Sequence, residues 1–135
     1  LGDYQGAIFD LTKAIEINSE PKEVGFYYYN RGDAQANLGD YYGAISDYNK
    51  AIELLPTNQY VRLNLGDAKY ELGDKKGACK DYQSLSLGDM NDEELYEKSP
   101  WGKSTPPWVL RREYYFLLPR QNSPSTNGPT KRPLR

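Results

Sequence analysis

The side chains that most often carry chemistry are nearly missing from this chain. None of its 135 residues is histidine, and one, Cys79, is cysteine. Without histidine the commonest general base and transition-metal ligand are gone. A single thiol with no imidazole cannot be set up as a Cys–His nucleophile or a zinc site, and it can form no internal disulfide. Cys79 is therefore expected to be a small buried hydrophobe. Asp33 and Asp67 are carboxylates at matching repeat positions. They read as solvated helix residues, too general a signal for acid–base work. No phosphate-binding glycine loop or nucleophile motif appears, so no catalytic residue, metal or cofactor is expected. What remains is recognition chemistry. The chain holds 13 Tyr against 3 Phe and 2 Trp, and tyrosine suits half-buried surfaces. Arg31–Gly32–Asp33 spells an adhesion tripeptide, but its place inside a predicted helix argues against that role.

The elements that position these residues are repeats. LGDYQGAIFD at Leu1 recurs as LGDYYGAISD at Leu38 and as LGDKKGACKD at Leu72. The second spacing is 34 residues and the first is 37, with the excess near Pro21, which is read as a loop. Residues 30–48 and 64–82 are identical at eleven of 19 positions, among them Gly32/Gly66, Ala44/Ala78 and Tyr48/Tyr82. A fixed period with recurring small residues is the signature of a solenoid. The opening LGDYQGAI matches the middle of a later repeat, so the chain reads as starting mid-repeat.

Each repeat reads as two helices joined by a tight turn. In Asn37–Leu38–Gly39–Asp40 the glycine can take the left-handed conformation that ends a helix. Asp40 can then cap the next one, with Asp3 and Asp74 in equivalent places. Ala44, Ile45, Tyr48, Ala51, Ile52 and Leu55 follow helical spacing, and Pro56 stops that helix. Helices are predicted near 3–18, 25–38, 41–55, 59–72 and 75–87. Gly32 and Gly66 fall inside helices, where glycine costs roughly 1 kcal/mol against alanine; close approach of a neighbouring helix is the expected reason. Helix 3–18 has no preceding partner, so Ala7, Leu11 and Ala14 should be open, or shielded by the tail or a second chain.

The period and the order of small and large residues resemble the tetratricopeptide repeat. Counting the family pattern from Gly25, Tyr28, Gly32, Ala44, Tyr48, Ala51 and Pro56 all match. The third repeat keeps Gly66, Ala78 and Tyr82 but departs at Arg62, Leu85 and Asp89–Met90. The first copy matches at Ala7, Leu11 and Ala14, with Ser19 in place of the proline. The recurrent LGDYxGAIxDY is similar to bacterial members of the family, cyanobacterial ones in particular. The resemblance implies an all-α, right-handed superhelix of about two and a half hairpins. It divides into a partial repeat (1–24), a full repeat (25–58) and a third repeat (59–88). It also implies a concave groove lined by the first helix of each repeat: Phe26, Tyr29, Asn30, Asp33 and Asn37, then Tyr60, Leu63, Asn64, Asp67, Tyr70 and Glu71. Tyrosine gives such a groove contact area at low entropy cost, and asparagine can both donate to and accept from a peptide backbone. A subfamily grips acidic chaperone C-termini with a basic clamp. Here Tyr29 and Leu63 replace the clamp lysine, while Asp33 and Asp67 add negative charge. An acidic peptide would be repelled, and neutral or basic segments are expected.

Composition changes after the repeats. Residues 1–98 hold 10 Lys/Arg and 18 Asp/Glu, whereas residues 99–135 hold 7 Lys/Arg, one acid and seven of the nine prolines. Residues 89–99 are predicted to form a short capping helix. For the basic, Pro-rich segment 100–135 three readings stand: a poorly ordered or non-native extension, docking of its aromatic and basic residues on the acidic solenoid, or an arm for nucleic acid or a membrane surface. Trp108–Leu110 and Tyr114–Leu118 need cover but read equally as helix or strand. From Pro119 on, the composition reads as disordered.

The function expected is a non-enzymatic scaffold that binds a protein or peptide partner. The alternatives are tail-mediated association with nucleic acid or a membrane surface, and self-association through the first helix. Seven scattered bases are a weak nucleic-acid footprint. No apolar run approaches the ~20 residues of a membrane span. The single cysteine and the lack of a signal-peptide pattern point to the cytoplasm.

Overall fold

The computed structural model describes residues 2–85, 91–99 and 102–117, and among these it contains helices and no strand. Five helices run in hairpin succession: α1 (Tyr4–Ile17), α2 (Pro21–Asn37), α3 (Tyr41–Leu54), α4 (Gln59–Glu71) and α5 (Lys75–Gln83). Two more follow, α6 (Asp92–Lys98) and α7 (Pro107–Leu117), with a 3₁₀ turn at Gly102–Ser104 between them.

The turns within the repeats are built as the local sequence dictates. Gly39 has φ +84° and Gly73 has φ +86°. At each, two backbone bonds close the helix end: Gly39 N–H to Ala36 C=O at 3.0 Å and Asp40 N–H to Gln35 C=O at 2.9 Å, then Gly73 to Tyr70 and Asp74 to Lys69, both at 2.9 Å. This is the paired closure that a left-handed glycine permits. The next residue is the cap. Asp3, Asp40 and Asp74 each accept from the N–H three residues on, at Gly6, Gly43 and Gly77.

The start of α2 corrects the sequence reading. Pro21 does not mark a loop. It is the first helical residue, where its missing N–H has no intrahelical partner to lose. The excess residues of the first spacing thus lengthen α2, to 17 residues against 13 in α4, instead of lengthening a loop.

Small residues let the helices nest. A methyl group on Gly32 would come within 2.8 Å of the Tyr48 ring, and one on Gly66 within 2.6 Å of the Tyr82 ring. A first core cluster joins α2, α3 and α4 through Tyr29, Ala44, Tyr48, Ala51, Val61, Leu65 and Ala68. A second joins α4, α5 and α7 through Leu63, Ala78, Tyr82, Leu85 and Tyr115. Cys79 is half-buried, not buried as its composition suggested. α1 contributes no buried residue. Its Ala7, Leu11 and Ala14 are half-buried, while Phe9 and Ile17 are 64% and 84% exposed. The described tail helix α7 lies at the other end of the array, against α5. The tail from residue 118 on, and the Asp89–Met90 departure, lie outside the described residues.

Candidate protein-interaction surface

The spacing of Phe26, Asn30, Asp33 and Asn37 puts them on one face of α2, and Tyr60, Asn64, Asp67 and Glu71 share the matching face of α4. The structure sorts the eleven expected groove residues by depth. Tyr29, Asp33, Leu63, Asn64 and Asp67 are buried; Phe26, Asn30, Tyr60 and Tyr70 are half-buried; Asn37 and Glu71 are exposed. The two aspartates expected to be solvated are therefore interior groups, only 8% and 7% exposed.

They are interior because each repeat joint is sealed by a polar bond. The Tyr48 hydroxyl donates to Asp33 Oδ1 at 2.6 Å. Asn64, arriving from the next hairpin, donates through Nδ2 to the same oxygen at 3.0 Å and to the Tyr29 hydroxyl at 3.1 Å. The Tyr29 and Tyr48 rings lie 6.2 Å apart in this joint. Burial, reinforced by the Asp33 carboxylate, holds the Tyr48 phenol well above its usual pKa, so it stays a donor. One repeat on, the Tyr82 hydroxyl donates to Asp67 Oδ1 at 2.7 Å, and its phenol is raised for the same reasons.

The partner that completes this second joint comes from the tail. Arg112 of α7 donates through Nε to Asp67 Oδ1 at 2.8 Å and pairs through Nη1 with the buried Glu113. Burial opposes the charge on Arg112, but the Asp67 carboxylate and its hydrogen bond outweigh that, and its pKa is raised. Trp108, four residues before Arg112, stacks on Tyr82 with centroids 5.9 Å apart and planes within 6°. It also lies 6.4 Å from Tyr70. Tyr115, three residues after Arg112, lies 5.2 Å from Tyr60. Burial, with Tyr60 beside it, pushes the Tyr115 phenol up to about 12. The sequence marks Trp108 and Tyr115 as rings in need of cover, with docking on the acidic solenoid one of three readings of the tail, but it names neither Arg112 nor the joint these residues complete. Their signal was the spacing i, i+4, i+7, which puts them on one helical face.

Arg31 has a further structural task. It grips Asp47 with two bonds of 2.7 and 2.8 Å, reaches Thr12 Oγ1 of α1 at 3.1 Å and lies over the Tyr28 ring. Hydrogen bonding to Asp47 raises its pKa. With Gly32 and Asp33 buried beside it, the adhesion tripeptide is an internal brace tying α1, α2 and α3.

The accessible remainder is a strip of Phe26, Asn30 and Asn37 on α2 and Glu71 on α4, flanked by Tyr60 and Tyr70 where these rings meet α7. None of the six is basic. Among the described residues no helix is long and apolar enough to cross a membrane. A family profile described as tetratricopeptide repeat matches residues 26–58, and a second with the same description matches residues 60–86. No curated protein matches the chain.

Proposed function

Because the chain belongs to the tetratricopeptide-repeat family through residues 26–86, a family whose repeats mediate protein–protein interactions, we propose that it is a scaffold holding a neutral or basic extended segment along α2 and α4. The observation that carries this reading is the accessible strip itself. Half-buried Phe26 and Tyr60 offer ring area, and the exposed Asn37 amide, anchored by one bond to the Asp33 carbonyl at 2.8 Å, offers polar contact, over a base fixed by the Asp33–Tyr48–Asn64 bonds. A rigid base limits the ordering cost of binding. Glu71 is exposed at one end of the strip and the Asp33 carboxylate lies buried beneath it, while Asp67 is paired with Arg112, so cationic segments are favoured over anionic ones. The test is fluorescence anisotropy against an array of labelled peptides of graded charge. Tightest binding to Asp/Glu-terminated peptides would overturn the charge preference. Unchanged binding by a folded Phe26→Ala chain would remove the strip as the site.

A second reading, self-association through α1, is favoured by the exposure of Phe9 and Ile17 and by the lack of any buried residue on that helix. Sedimentation analysis should then show a concentration-dependent dimer that a Phe9→Asp/Ile17→Asp chain does not form.

A further inference from the structure

The joint between α4 and the α2–α3 hairpin has a near copy at the end of the array, where the covering helix is not a repeat. In the inner joint Asn64 reaches Asp33 beneath the Tyr48 hydroxyl; in the outer one Arg112 reaches Asp67 beneath the Tyr82 hydroxyl. Each covering helix carries a ring four residues before its donor, Tyr60 before Asn64 and Trp108 before Arg112. The rest of the two helices, QYVRLNLGDAKYE and PWVLRREYYFL, has little in common. The face is thus met by a ring and a hydrogen-bond donor one turn apart, and it accepts helices of different sequence.

The two covering helices are tethered differently. Residues 55–58 alone join α3 to α4, whereas residues 84–106 lie between α5 and α7. The longer connection, part of it folded as α6 against α7, still leaves the attached helix at a finite effective concentration, which a free helix can match. The buried Asp67 sets the chemistry of any replacement. A replacement that supplied no donor would leave this carboxylate buried with its charge poorly met.

We propose that the α4–α5 end face is a helix-docking site, occupied in cis by α7, and that its partner is an amphipathic helix bearing an aromatic residue, an arginine four positions on and a second aromatic three beyond that. This site shares the Tyr60 and Tyr70 rings with the edge of the strip, but it takes a helix at the α4–α5 end, not an extended segment along α2, and it is tested with a different probe. Arginine at the middle position is complementary to Asp67, and the flanking rings are complementary to Tyr82, Tyr70 and Tyr60.

The test uses the full chain. A fluorescein-labelled peptide of sequence PPWVLRREYYFL, residues 106–117, serves as the probe. It should bind a Trp108→Ala/Arg112→Ala chain about a hundredfold more tightly than the intact chain, the ratio for an end face open about 1% of the time. The same peptide with its second arginine changed to alanine should lose binding, as should the double-variant chain carrying Asp67→Asn. Equal affinity for intact and variant chains, or no binding to either, would overturn the proposal. If the variant chain fails to fold by circular dichroism, hydrogen exchange on the intact chain decides. Amides of α7 should exchange about tenfold or more faster than those of α4, through local opening. Exchange of both helices in one cooperative step would sink it. So would a concentration-dependent dimer of the intact chain that Arg112→Ala abolishes, because α7 would then be covering a second copy.

Discussion

Arg112 and Asp67, 45 positions apart in the chain, meet at 2.8 Å in the interior, and the bond seals the end of the array as Asn64 and Asp33 seal its middle. A repeat array must end somewhere, and its last hairpin presents the same polar, ring-lined face that the α2–α3 hairpin buries under α4. Here the sequence keeps the buried aspartate and hydroxyl of the joint and supplies the missing donor from a helix outside the repeat. A neutral asparagine suffices in the middle. At the end an arginine serves two carboxylates, Asp67 and Glu113.

Arg112→Ala leaves Asp67 and Glu113 buried without their cation, so the loss should be about 3 kcal/mol or more. Urea unfolding followed by circular dichroism measures it. The diagnostic is non-additivity. Once Asp67 is also replaced by alanine, removing Arg112 should cost less, because one carboxylate, Glu113, then loses its arginine where two did before. Additive losses would mean that the pair is not coupled.

Gly32→Ala and Gly66→Ala pit two effects against each other. Helix propensity favours alanine by roughly 1 kcal/mol. The new methyl group, however, meets the Tyr48 ring at 2.8 Å and the Tyr82 ring at 2.6 Å, and both rings are fully buried and hydrogen-bonded, with no room to retreat. Overpacking of this kind costs about 1–3 kcal/mol. Both variants should therefore melt at lower temperature than the parent. A rise in melting temperature at either position would mean that the helices have room to separate.

These predictions draw unequally on what could be read in advance. The glycine turns and aspartate caps are legible because they are local: in the first, every bond lies between Gln35 and Gly43. The contact role of Gly32 and Gly66 was legible because glycine is otherwise costly there. Depth within the groove was not. Tyr29, Asn64 and Phe26 all follow helical spacing, but α2 has neighbours on more than one side. Spacing alone does not say which side closes first. Pro21 is ambiguous in sequence because proline can follow the end of one helix or open another. Arg112 was hidden for a different reason: it lies outside the period, so no second copy marked its position.

Asp81 offers a test by pH. Burial raises its pKa above the usual 3.8, only partly countered by its 2.8 Å ion pair with Lys69. Between the ordinary and the raised value the folded chain keeps a proton that the unfolded chain has released. Stability from this group is therefore full below the ordinary value and falls as pH rises through the raised one. Asp81→Asn cannot titrate. The difference in urea midpoint between parent and variant should drift across that acid window and level off above it. A flat difference would mean that the Asp81 carboxyl has the same pKa folded and unfolded.

The neighbouring rings Phe26 and Tyr29 should separate binding from folding. Tyr29 is 0% exposed, lies against Tyr48 and accepts a bond from Asn64. Truncation to alanine should cost about 3–5 kcal/mol, as for other large buried aromatics, and should abolish partner binding only by unfolding the joint. Phe26 is half-buried at the margin of the same core. Phe26→Ala should cost less stability and leave the far-ultraviolet spectrum intact, yet weaken peptide binding by about tenfold if the ring is an anchor worth more than 1 kcal/mol. The two substitutions are three residues apart on one helix, so a general loosening of α2 would move both readouts together. Only a surface role for Phe26 splits them. Measuring thermal melts and peptide anisotropy on the same two preparations distinguishes the cases. Loss of stability without loss of affinity in Phe26→Ala would make that ring part of the core and shift the contact surface toward Asn37 and Glu71.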